Sequence, residues 1–162
     1  MPDLNGSLSV SSPVRGTALP LETVPDPVFS QGMVGPGVAV HPEPGQEGGQ
    51  EGTQEVTAPI DGTLVKLHPH AFVVMAPDQR RGVLVHLGID TVKLKGEGFT
   101  LLLGEGAEVT AGTPVVRWSP GSVAARGLPA VVPVVALDAA PGDLGSVAEG
   151  GVDNGETLFT WA

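Results

Sequence analysis

Apolar positions in this chain fall in short blocks separated by glycine and proline. The blocks are Gly37–Val40, Gly62–Leu67, Ala71–Ala76, Val83–Leu87, Phe99–Leu103, Pro114–Trp118, Val131–Leu137 and Thr157–Trp161. Valine dominates them, and its stiff β-branched side chain suits an extended backbone, so each block predicts a strand. Many short strands separated by turn residues at this spacing predict an all-β fold, a sandwich or barrel of antiparallel strands. Val24–Gln31 and Ser122–Arg126 predict short helical turns, and neither sustains a 3.6-residue period. The longest apolar run, Ala130–Leu137, is interrupted by Pro133 and falls well short of the roughly 20 residues that a membrane-spanning helix needs.

Composition narrows the classes further. With 24 glycines and 16 prolines the chain is punctuated too often for a helical bundle or coiled coil. Its 162 residues predict one domain, 1–162. A net charge of -10 with no basic stripe speaks against nucleic acid as a partner. The absence of cysteine excludes disulfides, thiolate zinc sites, iron–sulfur clusters and a cysteine nucleophile. Met1–Val10 has neither the cationic start nor the apolar stretch of an export signal, so the expectation is a free-standing cytoplasmic domain without direct membrane insertion. The segment Pro42–Glu55, PEPGQEGGQEGTQE, has no apolar anchor and reads as a flexible acidic loop. Glu47, Glu51 and Glu55 would stack like charges on one face of a helix there, and the intervening glycines oppose that helix as well.

Two motifs recur. Ser12-Pro13-Val14-Arg15-Gly16-Thr17 returns as Ala58-Pro59-Ile60-Asp61-Gly62-Thr63, and Val109-x-x-Gly112-x-x-Val115 returns as Val152-x-x-Gly155-x-x-Leu158. The similar displacement of two unrelated motifs predicts a duplicated β unit.

The chemistry rests on few residues. There are four histidines, His41, His68, His70 and His86. His86 lies inside a strand-like run, Gly82–Gly88, apolar on both faces, and His70 heads another, Ala71–Met75. A period of two places His86 on the face of Leu84, and His70 on the face of Phe72 and Val74. The short connection Pro77–Arg81 predicts that these strands pair as antiparallel neighbours, bringing the two imidazoles together. Such a pair can bind a metal, move a proton, or carry a phosphoryl group on a ring nitrogen. No G-x-x-x-x-G-K-[ST] loop is present, so any phosphoryl group comes from another protein rather than from bound ATP.

The string Val85-His86-Leu87-Gly88-Ile89-Asp90-Thr91-Val92-Lys93-Leu94-Lys95-Gly96-Glu97-Gly98-Phe99 resembles the phosphorylation-site signature of the glucose-type enzyme IIA domains of the bacterial sugar phosphotransferase system. The resemblance extends through Pro13-Val14-x-Gly16, Val24-Pro25-Asp26-x-Val28-Phe29, Val34-Gly35-x-Gly37-Val38-Ala39-Val40, Ala58–Thr63, His70-Ala71-Phe72, Gly106-x-x-Val109-x-x-Gly112 and Gly155-Glu156-Thr157. It implies a β-sandwich with a duplicated hybrid motif, and a phosphotransferase component that works without a cofactor. It further implies that His86 is phosphorylated on Nε2, that His70 stabilises the phosphoryl group, and that the Gly88 carbonyl holds Nδ1–H of His86. Val28, Phe29, Met33, Val34, Phe72 and Val92 stand at matching positions for a docking patch, with Asp26 and Asp90 placed to meet arginines. The implied donor is the histidine-containing phosphocarrier protein. The implied acceptor is a cysteine on the enzyme IIB domain of a membrane sugar permease.

The chain departs from the family pattern at His68, where a threonine hydroxyl is usual; an imidazole donor is expected to replace it at the site. Leu84 and Leu87 replace aromatics, and the Pro42–Glu55 segment is longer than the usual turn. The alternatives are a zinc hydrolase using His68, His70, His86 and Asp90, a swinging-arm carrier, and a regulatory partner-binding domain. The carrier lacks a lysine at a hairpin tip. The hydrolase elements stand in the reverse chain order to that of the zinc peptidases they resemble. No metal is required, although two neutral imidazoles at His70 and His86 leave an open site for adventitious or regulatory zinc.

Overall fold

The computed structural model describes residues 7–42 and 53–162. In chain order the strands are β1 (Leu8–Ser11), β2 (Gly16–Pro20), β3 (Gly37–Pro42), β4 (Gln54–Thr57), β5 (Gly62–His68), β6 (Ala71–Met75) and β7 (Gly82–His86). They continue as β8 (Phe99–Leu101), β9 (Glu108–Val109), β10 (Pro114–Trp118), β11 (Val132–Ala136), β12 (Leu144–Gly145), β13 (Gly150–Val152) and β14 (Thr157–Trp161). Two short helices, α1 (Pro27–Ser30) and α2 (Pro120–Ala125), fall where helical turns are predicted. Each begins as a helix should. Asp26 and Ser119 cap them by accepting from the amides of Val28 and Ser122, and a proline occupies the first turn, where no amide is needed.

All pairing is antiparallel. The largest sheet runs β13-β2-β3-β11-β7-β6-β5-β9, and two three-stranded sheets run β4-β10-β8 and β1-β14-β12. Side chains alternate across the middle of the large sheet. Val38, Val40, Val83, Val85, Val132, Val134 and Ala136 enter the main core, while Ala39, Leu84 and Val135 face a second cluster with Leu21, Val24, Phe29, Ile89 and Val131. Burial on both faces is why Val131–Leu137 reads as an unbroken apolar run rather than an alternating one.

The duplication is visible in the hydrogen bonds. The amide of Ser11 donates to Pro59 O at 2.8 Å, and that of Thr57 donates to Pro13 O at 2.9 Å. Likewise Ser12 N donates to Glu156 O and Ala58 N to Thr113 O, while Gly155 N donates to Ser12 O and Gly112 N to Ala58 O. Each of these bonds has its counterpart at the matched positions of the repeat. Gly16 and Gly62, matched in the repeat, are required for closeness: a Cβ on either would sit 2.0 Å from a carbonyl oxygen, of His41 or of Met75 respectively.

The expected flexible loop at Pro42–Glu55 is corrected at its ends. Pro42 closes β3, and Gln54 and Glu55 open β4, where they pair with Trp118 and Arg117 and where Glu55 meets the Arg117 guanidinium at 3.0 Å. Residues 43–52, including Glu47 and Glu51, lie outside the described residues. Apolar patterning also passes over β1, β2, β4, β9, β12 and β13. Their short or polar sequences, such as Gly150-Gly151-Val152, acquire strand geometry from their partners.

Candidate functional site

β6 and β7 pair with Ala71 opposite His86 and Phe72 opposite Val85. His86 therefore shares the outer face with Leu84, as predicted. His70 does not reach it by strand alternation. Phe72 and Val74 point into the main core, so a strictly alternating His70 would have pointed there too. Instead His70 lies in the tight turn between β5 and β6, where the period of two no longer holds, and its ring comes edge-on to His86 at 5.5 Å between centroids. The backbones are joined as well, since Leu87 N donates to His70 O at 2.7 Å. The reason offered by periodicity is thus corrected, while the meeting of the two rings stands.

The loop after His86 fixes its tautomer. Nδ1 lies 2.6 Å from Gly88 O, so Nδ1–H donates and Nε2 keeps its lone pair. Gly88 has φ 81°, and a Cβ there would come within 2.7 Å of the Thr91 methyl and 2.9 Å of Pro129 O. Two further bonds hold the loop: Thr91 Oγ1 donates to Leu87 O at 2.7 Å and Ile89 N to Pro129 O at 2.9 Å. Thr91 and Pro129 escaped the sequence reading as supports of the site. The one available signal was a threonine four residues beyond Leu87, within reach of its carbonyl.

Burial pushes His86 below the ordinary imidazole value; the Gly88 carbonyl and the carboxylates of Asp26 and Asp90 partly offset it. His70 is also lowered, first by burial and then by His86 and His68. Both rings are accordingly neutral near pH 7. His68, exposed at the end of β5, stacks on His70 with centroids 5.7 Å apart and planes 25° from parallel. On the other side the Phe29 ring lies 5.2 Å from His86, held by α1.

Val28, Met33 and Val92 are 42%, 69% and 59% exposed, and the carboxylates of Asp26 and Asp90 act on His86. Val34 is half-buried against the second cluster, and Phe29 is buried within it. Phe72 is a correction: at 1% exposed it fills the main core and presents no surface for docking. Strand β6 turns its ring into the main core, away from the face that carries His86. The zinc-hydrolase alternative fares no better, because among the described residues no group of three or more histidine or acidic side chains is arranged to hold a metal ion.

The model of the family described as phosphoenolpyruvate-dependent sugar phosphotransferase system, EIIA 1, matches residues 8–141. The mannose-specific EIIBCA component of the phosphotransferase system of Corynebacterium glutamicum is 38% identical over 135 residues, which are 82% of this chain and 18% of that one. The glucose-specific EIIA component of Oceanobacillus iheyensis is 37% identical over 130 residues, 79% of this chain and 73% of that one. Among solved structures, the glucose permease IIA from Mycoplasma capricolum matches with a TM-score of 0.86 at 31% identity, over 99% of each chain. The chain thus spans less than a fifth of the fused Corynebacterium relatives and corresponds to one segment of them. Sandwich, duplicated halves and relatives together define a phosphotransferase component. The chain belongs to the EIIA 1 family of the phosphoenolpyruvate-dependent sugar phosphotransferase system. Among the described residues no helix is long and apolar enough to cross a membrane.

Proposed function

We propose that His86 is the phosphoryl-bearing residue of this component. Its Nε2 takes the group from the histidine-phosphorylated carrier protein and yields it to a cysteine of an EIIB domain during sugar uptake. The observation that carries this reading is the 2.6 Å bond from Nδ1–H to Gly88 O. With one ring nitrogen committed to a carbonyl, the other is an unprotonated nucleophile aimed away from that bond. The edge of His70 supplies an N–H to the phosphoryl oxygens, whose charge develops against a half-buried surface. Transfer between two nucleophiles needs little covalent help beyond in-line placement and charge stabilisation. The exposed Val28, Met33 and Val92 offer apolar contact to partners that must dock in turn, and Asp26 and Asp90 suit arginines on the donor.

The test is intact-mass measurement after incubation with phosphoenolpyruvate and the general phosphotransferase proteins. The wild-type chain gains one acid-labile phosphate, and His86→Gln gains none. His70→Gln still accepts the group but passes it on about 100-fold more slowly, the usual effect of removing one donor to a developing charge. Phosphorylation of His86→Gln at the wild-type level rejects the assignment.

A further inference from the structure

Asn154 is tied across the seam between the two copies of the turn motif. Its side-chain Nδ2 donates to Pro13 O at 2.8 Å, to Glu55 O at 3.2 Å and to Thr57 Oγ1 at 3.3 Å. Two of these neighbours are carbonyl oxygens, which only accept, so they fix which end of the amide points inward. The backbone is anchored beside it, since Gly155 N donates to Ser12 O at 3.0 Å. A turn between β13 and β14 presents both groups: Glu156 N donates to Asp153 O at 3.1 Å, and Gly155 takes φ 88°, which suits glycine. Turn geometry alone does not call for the amide. In the matching turn of the repeat Thr113 N donates to Thr110 O at 2.9 Å and Gly112 takes φ 96°, yet the position before that glycine is Ala111.

Asparagine followed by glycine is a chemically labile pair, because no side chain hinders the glycine nitrogen as it approaches the asparagine amide carbon. In the folded chain both reacting groups are engaged elsewhere. The nucleophile, Gly155 N, is bonded to Ser12 O, and the leaving nitrogen of Asn154 is bonded to Pro13 O. Ring closure has to break both bonds, and Ser12 and Pro13 are adjacent residues of one turn. We propose that Asn154 is a deamidation site which the closed turn motifs keep shut and which their opening exposes. In the step, Gly155 N bonds to Cγ of Asn154, the Cγ–Nδ2 bond breaks, and the proton lost from Gly155 N leaves with the amide nitrogen as ammonia. Water then opens the cyclic imide to aspartate or isoaspartate. The product opposes reclosing, since a carboxylate has no hydrogen to give to Pro13 O or Glu55 O and sets a negative charge against both. A chain that has once opened at this seam is thereby marked irreversibly. The proposal stands apart from the phosphocarrier reading.

The experiment holds the full wild-type chain in mildly alkaline buffer, native in one arm and unfolded in guanidinium chloride in the other. Peptide mapping follows aspartate plus isoaspartate at position 154 over time. Mapping is needed because the chain's other asparagine, Asn5, also precedes glycine and lies outside the described residues. Conversion at Asn154 should be about 100-fold slower in the native arm, as for a site reached only through opening. Denaturation curves are then compared for wild type, Asn154→Ala and Asn154→Asp. The alanine variant copies the repeat, loses the three bonds and brings no charge, so its midpoint should fall between the other two. Equal conversion rates in the two arms overturn the proposal, and so does an Asn154→Asp variant as stable as Asn154→Ala. The rate comparison uses the wild-type chain alone, so it decides the matter even where Asn154→Asp does not fold.

Discussion

The chemistry of single residues here is set by what the surroundings withhold. His86 and His70 are held below the ordinary imidazole value chiefly by burial, so the native state binds fewer protons than the unfolded chain near pH 6. Their contribution to stability is therefore complete above the ordinary value of about 6.5 and is lost as pH falls through the lowered ones. Thermal unfolding followed from pH 8 to pH 5 should show Tm falling on the acid side, and His70→Gln should flatten that fall. The same neutrality keeps Nε2 available, so phosphoryl acceptance should persist below pH 6.5 before declining. Gly88 makes an equally local demand. With φ 81° and no room for a Cβ, Gly88→Ala must move the carbonyl that holds Nδ1. Slower phosphorylation by about tenfold is expected, together with a changed Nδ1–H signal in NMR spectra.

At the scale of elements, the hairpin of β6 and β7 fixes the site from its far end as well. Asp78 and Arg81 form a largely buried ion pair at 2.6 Å in the connecting turn, and Arg81 Nη1 donates to Trp161 O at 3.0 Å. Burial alone would raise the Asp78 carboxyl, but the amides of Arg80 and Arg81 and the Arg81 guanidinium outweigh it and lower it. Asp78→Asn removes the carboxylate paired with the buried Arg81 guanidinium and should cost about 3 kcal/mol in chemical denaturation. These strands were legible because both faces of β7 and β11 are apolar, and their blocks match the observed elements within a residue or two. The orientation of His70 was not legible from periodicity, since a hairpin turn suspends the alternation on which that inference depends. Edge strands such as β4 and β13 were invisible for a related reason: Gln54-Glu55-Val56-Thr57 is a strand only because β10 lies beside it.

On the scale of the whole molecule, the docking face and the core draw on one framework. The second apolar cluster beneath α1 supports Phe29 and the exposed Val28 and Met33 above it. Phe29→Ala should therefore lower stability, by about 3 kcal/mol, and also disturb His86, whose ring rests against it. Sequence motifs alone revealed the pair of histidines and the repeat. They did not reveal how the copies fit, because that fit is made of backbone bonds that leave no mark in composition. Since each copy of the turn motif receives bonds from the other, the domain should unfold in a single cooperative transition, with fluorescence and far-UV circular dichroism giving coincident denaturation curves.

Those reciprocal bonds, Ser11 to Pro59 and Thr57 to Pro13, make the two copies of the turn motif close on each other. Neither turn can open alone, because each supplies the carbonyl that an amide beside the other needs. The second turn leads straight into β5, the strand that ends at His68. Loosening of the first turn, far away in sequence, is therefore felt at the approach to the histidines.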